Sequence, residues 1–387
     1  MIPYSTQTIN KQDLKAVNLA MKSFFLTQGP KVSEFEKKLT KKVGSKYGVA
    51  VNSATSALHI ACLAVGLKKK DIFWTVPNTF VASANCGRLI GAKVDFVDIN
   101  PRTFNIDTDL LEKKLINAKK KNKLPKLIIP VHFAGQPTNQ KKIWQLSKKY
   151  NFRIIEDASH SLGAKLNNEK VGSCKWSDIT VFSFHPVKMI TTLEGGAALT
   201  KNYKLYKNLK LFSNHGITKQ SKYFINKKEG PWYYEQQTLG LNYRMSEISA
   251  ALGISQLKRL NYFFKKRNNL AKMYDKNLDS SFVFTPYLIK GAKSSYHLYV
   301  IKLKDSVVHL HKTFFEYLRK NKINVNLHYI PVHLQPYYKK LGFSKGNFAN
   351  SEKHANSVIS LPIYPDLGNL KIRYICKKIN FFFKTNK

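Results

Sequence analysis

The sequence predicts an α/β fold, with a large domain built on a mainly parallel mixed sheet flanked by helices and a smaller C-terminal α+β domain. Between residues 47 and 184, short apolar runs alternate with segments of helical periodicity, which is typical of parallel sheets covered by helices. From about residue 260 this alternation gives way to a long polar helical segment. We therefore expect a large domain over residues 1–258 and a small domain over residues 259–387.

The elements follow in order along the chain. Helical spacing of apolar residues predicts helices over residues 13–26 and 32–43. The alternating region predicts strands at "YGVAV", "IFWTV", "AKVDFVDI", "KLIIPVHF", "RIIEDA" and "ITVFSF", with helices at "SALHIACLAVGL" and "KKIWQLSKKY". The C-terminal part starts with a long polar helix over residues 255–278. It continues through "SYHLYVIKL" and "INVNLHYIPVH", which we assign to the small domain.

The charge of the chain is strongly positive. It carries 65 Lys and Arg against 23 Asp and Glu, a formal net charge of +42. Such an excess would ordinarily indicate a nucleic acid or an anionic membrane as the partner. Only eight of the basic residues are Arg, however, whereas base and phosphate recognition favours the planar guanidinium group. The lysines are also spread over the whole length, so we expect solvated basic faces and neither a nucleic acid nor a membrane as partner.

The cysteines and the N-terminal residues indicate the cellular compartment. Cys62, Cys86, Cys174 and Cys376 lie far apart without a CxxC pair, so neither a disulfide framework nor a metal site is expected. The first residues contain no apolar signal segment, and no apolar run reaches about 18 residues. These features favour a cytoplasmic protein.

Residues that follow the predicted strands are the first candidates for a site, because ligands bind at the carboxyl ends of parallel strands. Residues 52–57, "NSATSA", precede a helix and could present N–H groups to a phosphate, although these residue types also cap helices. Asp157 ends a buried strand and must be a cap or the partner of a cation. Lys188 follows another strand and precedes an "EGG" turn. Pyridoxal phosphate requires all three groups, for its phosphate, pyridine nitrogen and aldehyde.

Many blocks of sequence resemble the DegT/DnrJ/EryC1/StrS family of sugar aminotransferases, which are fold type I pyridoxal-phosphate enzymes. The resemblance covers nearly the whole chain, through "FLTQGPKVSEFE", "VNSATSALH", "PNTFVASANC", "AKVDFVDI", "PVHFAGQP", "IIEDASHSLGA", "VFSFHPVK", "EGGA", "LNYRMSEISAALG" and "HYIPVHLQPYY". The stretches "SNHGITK", "GPWYYEQQTLG" and "SFHPVKMITT" resemble the branch that forms UDP-4-amino-4,6-dideoxy-N-acetyl-β-L-altrosamine by aminating C4 of a UDP-4-keto sugar in pseudaminic acid synthesis. An aminotransferase of the same family for another nucleotide-linked keto sugar, at C3 or C4, is the alternative.

The resemblance implies a role for each candidate residue. Lys188 would bond covalently to pyridoxal 5'-phosphate and later, as a free amine, move a proton between the substrate and the cofactor. Asp157 would keep the pyridine nitrogen protonated. The amino donor would be L-glutamate. Some relatives are dehydratases with His in place of the lysine, and Lys188 argues against that class. A catalytically silent regulator is disfavoured because Lys188, Asp157 and Ser183 are all retained.

Further residues are implied to bind the cofactor. Ala54 and Thr55 would offer backbone N–H groups to its phosphate, and Ser183 would add a hydroxyl group. Phe80 would stack on the ring, unless it is a core aromatic residue. His160 would lie near the ring edge, unless it is a packed structural histidine.

The resemblance also implies a homodimer with shared active sites. Asn242 would reach the phosphate of the neighbouring subunit, although it could instead cap the following helix. The residues implied to contact the sugar nucleotide are Tyr4, Leu26, Thr27, His328 and Tyr329. One position departs from the family pattern, since Leu193 stands before "EGG" where the family often has Gly.

Overall fold

The structure is a computed structural model that describes residues 1–226 and 230–386. Its helices are α1 (Lys11–Met21), α2 (Pro30–Val43), α3 (Ala54–Ala64), α4 (Ala82–Arg88), α5 (Thr108–Lys120), α6 (Gln140–Tyr150), α7 (Tyr203–Ser213), α8 (Glu247–Lys258), α9 (Leu260–Asn277), α10 (His311–Lys320), α11 (Pro336–Lys339), α12 (Ala349–Ala355) and α13 (Asn369–Thr385). Its strands are β1 (Tyr47–Val51), β2 (Ile72–Thr75), β3 (Lys93–Phe96), β4 (Leu127–Ile128), β5 (Arg153–Asp157), β6 (Lys165–Leu166), β7 (Glu169–Lys170), β8 (Ile179–Ser183), β9 (Gly196–Thr200), β10 (Ile217–Thr218), β11 (Glu235–Gln236), β12 (Val283–Phe284), β13 (Ala292–Lys293), β14 (Tyr299–Leu303) and β15 (Val358–Leu361).

The central sheet has seven strands in the order β1-β9-β8-β5-β4-β2-β3. The strands from β8 to β3 are parallel, and β9 runs antiparallel to both of its neighbours, β1 and β8. The predicted mainly parallel mixed sheet is therefore confirmed. All five residues of β8 are buried, as expected for a strand covered by helices on both faces. Since β5 and β8 are parallel neighbours, the residues that follow them lie at the same edge of the sheet.

The C-terminal part has its own antiparallel sheet, in the order β12-β14-β15. Its apolar side chains form a core with α13, which includes Tyr299, Ile359 and Phe383. Helix α9 contributes to two cores, because Phe263 packs in the core of the large sheet whereas Leu270 packs in the C-terminal core. We keep the division at residues 258/259 as a proposal for the domain boundary, since this helix starts in one core and ends in the other.

Two predicted helices differ from the structure. The helix expected over residues 13–26 ends at Met21, because the Ser23 hydroxyl group bonds to the carbonyl groups of Ala20 and Phe25 and closes a turn. The helix expected over residues 255–278 is two helices that meet at Arg259. This residue has φ −96° and ψ 1°, and its guanidinium group bonds to the carbonyl oxygen of Thr8. Helical periodicity does not report polar contacts of this kind.

The first residues of the chain are attached to the C-terminal part. Ile2 forms a bridge with Ile323, and the Tyr4 carbonyl oxygen accepts a hydrogen bond from the N–H of Ile363 at 3.0 Å. This attachment places Tyr4 beside the segment that follows α10. Among the described residues, no helix has both the length and the apolar character needed to cross a membrane.

Candidate active site

Lys188 lies in the turn between β8 and β9. The turn is closed by backbone hydrogen bonds from Phe184 to the carbonyl of Gly195 and from Thr192 to the carbonyl of Phe184. Burial lowers the pKa of the Lys188 amine to about 8, against the opposing effect of the Asp157 charge. A lysine with this pKa is partly uncharged near neutral pH, which is the form that attacks an aldehyde and accepts a proton.

Asp157 is the last residue of β5 and is 6% exposed. One carboxylate oxygen accepts a hydrogen bond from the Ser83 hydroxyl group at 2.6 Å. The other accepts two, from the N–H and the hydroxyl group of Ser159, at 3.1 and 2.6 Å. Three neutral donors satisfy the buried carboxylate without neutralising it, so its charge is available to a cationic ligand atom at this edge of the sheet.

The predicted phosphate-binding site lies at the N-terminus of α3. Ser53 is the N-cap of this helix and accepts from the N–H of Ser56, so capping is done by Ser53 and not by the candidate residues. The N–H groups of Ala54 and Thr55 belong to the first turn, which has no intrahelical acceptor for them. Gly196 lies close to the backbone nitrogen of Ala54 and pairs with Ser183 across β8 and β9. The structure therefore brings these predicted phosphate ligands together.

Aromatic and imidazole side chains form one wall of the site. The His160 ring, 6% exposed, bonds through Nε2 to the Tyr329 hydroxyl group at 3.2 Å. The ring of Tyr329 lies 6.4 Å from that of Phe80, and the ring of His328 lies 5.9 Å from that of Tyr4. Phe80 is 60% exposed, so it is not a core residue of the described chain. An exposed aromatic ring beside buried polar rings suits a flat ligand.

Burial keeps this wall uncharged. It lowers the pKa of His160 well below its ordinary value, and the charge of Lys188 adds to the effect. Burial also lowers the pKa of His328 to about 3, and it raises the pKa values of Tyr4 and Tyr329. The residues around the lysine therefore supply neutral hydrogen-bonding groups at physiological pH, which leaves the carboxylate of Asp157 as the nearby anion.

The remaining candidates are Leu26, Thr27 and Asn242. Thr27 forms a bridge with Ser246, and the Leu26 carbonyl oxygen accepts from the N–H of Glu247. Asn242 is exposed and forms a bridge with Asn214. Within the described residues, no backbone hydrogen bond or bridge joins Leu26, Thr27 or Asn242 to Lys188. Their predicted roles in binding remain predictions.

Three residues of the site were not predicted from the sequence. Ser83 and Ser159 orient Asp157, and His297 places its Nε2 atom 3.5 Å from Nζ of Lys188. Ser159 is only two residues from Asp157, so a Ser after a strand-ending carboxylate could have been noticed. His297 is 109 positions from Lys188 and has no local motif, so only the fold reveals it.

The residues present fit pyridoxal phosphate. A lysine with a lowered pKa, a buried carboxylate and a helix start with close glycine packing match its aldehyde, pyridine nitrogen and phosphate. Among the described residues, the buried Nδ2 atom of Asn78 has no hydrogen-bond partner, whereas Oδ1 of the same side chain accepts from the N–H of Tyr329. An unsatisfied donor beside this wall is consistent with a polar ligand that completes the site.

A mixed α/β sheet with these groups at the ends of neighbouring strands defines a pyridoxal-phosphate enzyme of fold type I. The DegT/DnrJ/EryC1/StrS aminotransferase family matches residues 7–380, and the chain belongs to that family. It is an aminotransferase that depends on pyridoxal phosphate, as the sequence predicted.

Named relatives cover the chain almost completely. The UDP-4-amino-4,6-dideoxy-N-acetyl-beta-L-altrosamine transaminase of Campylobacter jejuni is 40% identical over 372 residues, which are 96% of this chain and 94% of that protein. The solved structure of Helicobacter pylori PseC, an aminotransferase involved in the biosynthesis of pseudoaminic acid, is 32% identical with a TM-score of 0.90, and covers 99% of both chains. The putative sugar aminotransferase Spr1654 from Streptococcus pneumoniae, in its PLP-form, is 28% identical with a TM-score of 0.89, again over 99% of both chains.

Proposed function

We propose that this enzyme transfers an amino group from L-glutamate to C4 of a UDP-4-keto-6-deoxy-N-acetylhexosamine, giving UDP-4-amino-4,6-dideoxy-N-acetyl-β-L-altrosamine. The observation that carries this proposal is the 40% identity to the Campylobacter jejuni transaminase over 96% of the chain. The absence of a membrane-spanning helix from the described residues is compatible with a cytoplasmic site of action, where we propose that the nucleotide sugar is used.

The proposed chemistry assigns proton handling to Lys188. Bound pyridoxal phosphate supplies an electron-withdrawing ring and carries the amino group between the two substrates. Lys188, with a pKa of about 8, would move a proton from the donor carbon to C4′ of the cofactor in the first half-reaction, and from C4′ to the sugar carbon in the second. The carboxylate of Asp157 would keep the ring nitrogen protonated. One lysine thus serves as the base for both half-reactions.

The proposed substrate side is the wall of neutral rings. Tyr4 enters it from the N-terminus, and His328 and Tyr329 enter from the segment after α10. We propose that these three residues, together with Leu26 and Thr27, contact the sugar nucleotide. Neutral aromatic and imidazole groups can stack on sugar or base faces and donate hydrogen bonds to hydroxyl and phosphate oxygens.

We propose a homodimer in which Asn242 of one subunit contacts the cofactor phosphate of the other. Its exposure supports this proposal. A role within the same chain is the alternative, because the carbonyl oxygen of the next residue, Tyr243, accepts from the N–H of Asn52 at 2.9 Å, close to the start of α3.

The shared-site and same-chain roles separate when inactive Lys188→Ala and Asn242→Ala subunits are mixed. If sites are shared, half of the dimers are mixed and each has one intact site, so about a quarter of the wild-type activity returns. If Asn242 acts in its own chain, every site in a mixed dimer keeps one lesion and no activity returns. Subunit exchange must be verified by native mass spectrometry with differently tagged chains.

The substrate is tested by an amino-transfer assay with UDP- and dTDP-linked keto sugars that carry the ketone at C3 or C4. We expect the UDP-4-keto-6-deoxy-N-acetyl sugar to be converted fastest, with NMR showing the new amino group at C4. Lys188→Ala is the control for uncatalysed exchange. Preferential conversion of a 3-keto sugar or of a dTDP sugar would move the enzyme to another branch of the family.

A further inference from the structure

His297 is a buried residue that touches the proposed catalytic lysine. It lies just before β14, its side chain is 3% exposed, and its Nε2 atom is 3.5 Å from Nζ of Lys188. The ring of His160 packs on its other side, with a centroid separation of 4.4 Å. The C-terminal part of the chain thus brings one imidazole group directly to the amine at the centre of the site.

The backbone that carries His297 is held rigidly. Nη1 of Arg267 donates to the carbonyl oxygens of Tyr296 and His297, both at 3.2 Å, and to that of Ile363 at 2.8 Å. Arg267 is 1% exposed. Because Nη1 of this buried side chain donates to the carbonyl oxygens on both sides of the Tyr296–His297 step, it fixes the backbone that carries the imidazole group.

His297 is neutral in this environment. Burial lowers its pKa well below the ordinary value, and the charges of Lys188 and Arg267 act in the same direction. A neutral imidazole group has one donor and one acceptor nitrogen. A charged lysine amine can only donate hydrogen bonds, so we assign Nε2 of His297 as the acceptor and place the imidazole proton on Nδ1. Nδ1 is buried and has no partner in the described structure.

The neighbouring His160 has the opposite tautomer. Its Nδ1 accepts from the N–H of Ala134 at 3.3 Å, so its proton is on Nε2, which faces the Tyr329 hydroxyl group. Both ring nitrogens of His160 therefore form hydrogen bonds with Ala134 and Tyr329. The imidazole nitrogen that faces the lysine amine is Nε2 of His297. The two adjacent rings have different tasks despite their contact.

We propose that His297 is a positioning residue that holds the free amine of Lys188 by accepting a hydrogen bond at Nε2 whenever the amine is not bonded to the cofactor. This inference rests on the proposed function of Lys188. A free lysine side chain has four rotatable bonds, and an acceptor on a rigid backbone restricts the amine to the region where it must act. Within the described residues, the contact with His297 is the one hydrogen bond that Nζ of Lys188 forms.

The test uses the full-length chain, freed of cofactor, in three forms. His297→Phe keeps a ring but removes the acceptor, and His297→Gln can place its amide oxygen near the position of Nε2. On addition of pyridoxal phosphate, the visible absorbance of the covalently bound cofactor should appear about three- to tenfold more slowly in the Phe variant, the effect of one net hydrogen bond. The Gln variant should recover most of the wild-type rate.

Binding of pyridoxamine phosphate is the matched control, because this ligand occupies the same site without bonding to Lys188. Its dissociation constant should be the same in all three forms, and kcat should fall in the Phe variant with little change in KM. Equal capture rates in the wild-type and Phe forms would overturn the proposal. A parallel loss of pyridoxamine phosphate binding without recovery in the Gln variant would also overturn it, in favour of a packing role. If the wild-type chain itself gives no visible band, the proposed function fails instead.

Discussion

A substitution at Gly196 tests directly whether the phosphate-binding site lies at the N-terminus of α3. A methyl group at this position would lie 2.5 Å from the backbone nitrogen of Ala54 and 2.5 Å from the carbonyl carbon and oxygen of Ser53. Ordinary contact begins at 3.4 Å, so Gly196→Ala must push β9 and the start of α3 apart by about 0.9 Å. All of the clashing atoms are backbone atoms, and no rotamer change can relieve the overlap.

The expected effect is on both stability and cofactor affinity. Overpacking of this kind costs about 1–3 kcal/mol of unfolding free energy. A shift of about 0.9 Å lengthens hydrogen bonds of about 2.9 Å beyond useful range, and each bond to a charged group contributes about 1.5–3 kcal/mol. We therefore expect pyridoxamine phosphate to bind about ten- to a hundredfold more weakly, as measured by equilibrium dialysis, with urea unfolding as the parallel measurement.

Gly368→Ala is the matched control, because a methyl group there would meet no atom within 4 Å. Its unfolding free energy should change by less than about 0.5 kcal/mol, with unchanged ligand affinity. If Gly196→Ala binds pyridoxamine phosphate as tightly as the wild type does, the phosphate is not held at the start of α3 and the reasoning is wrong.

Three further predictions follow. Burial lowers the pKa values of several histidines below 6.5, and the lowered pKa values include those of the deeply buried His160, His297, His328 and His354. The unfolded chain therefore binds protons that the folded chain does not, and the unfolding free energy falls below pH 6.5. The loss at pH 5.5 is about 1.4 kcal/mol for each histidine, and equal urea unfolding curves at pH 7.5 and 5.5 would contradict it. Asp157→Asn should lower kcat more than about a hundredfold, because a neutral amide cannot stabilise the charge on the pyridine ring of the cofactor. The circular dichroism spectrum of the variant should remain that of the folded protein. A near-normal kcat would leave the carboxylate with a structural role only. Leu193 has a left-handed backbone conformation, with φ +69°, and its side chain is 57% exposed. Because glycine adopts this conformation without strain, Leu193→Gly should raise the unfolding free energy by about 0.5–1 kcal/mol. A lower unfolding free energy would show that the contacts of the leucine side chain outweigh the strain.

The sequence patterns predicted the elements of the central sheet well where burial is uniform. The runs at β1, β5 and β8 were located to within a residue, because a short apolar stretch between two helical segments is typical of a buried parallel strand. Asp157 and Lys188 could be singled out because Asp157 ends one strand and Lys188 follows another, and the carboxyl ends of neighbouring parallel strands lie at the same edge of the sheet. The family resemblance then supplied their roles.

What the patterns did not predict depends on contacts between distant segments. The break at Arg259 accompanies a hydrogen bond to Thr8, which lies 251 positions away in the chain, and helical periodicity carries no information about such a bond. His297 is brought to Lys188 by the docking of the C-terminal part and by Arg267. The left-handed conformation of Leu193 was signalled only by the departure from the family glycine.

The measurement that tests the account most directly identifies the lysine that carries the cofactor. The full-length chain is loaded with pyridoxal phosphate, reduced with borohydride to make the bond permanent, digested and sequenced by mass spectrometry. The account predicts that the phosphopyridoxyl group is found on Lys188, the lysine whose pKa burial lowers to about 8, and is lost in Lys188→Ala. A stoichiometric label on any other lysine, or a label that survives in Lys188→Ala, would contradict the central claim.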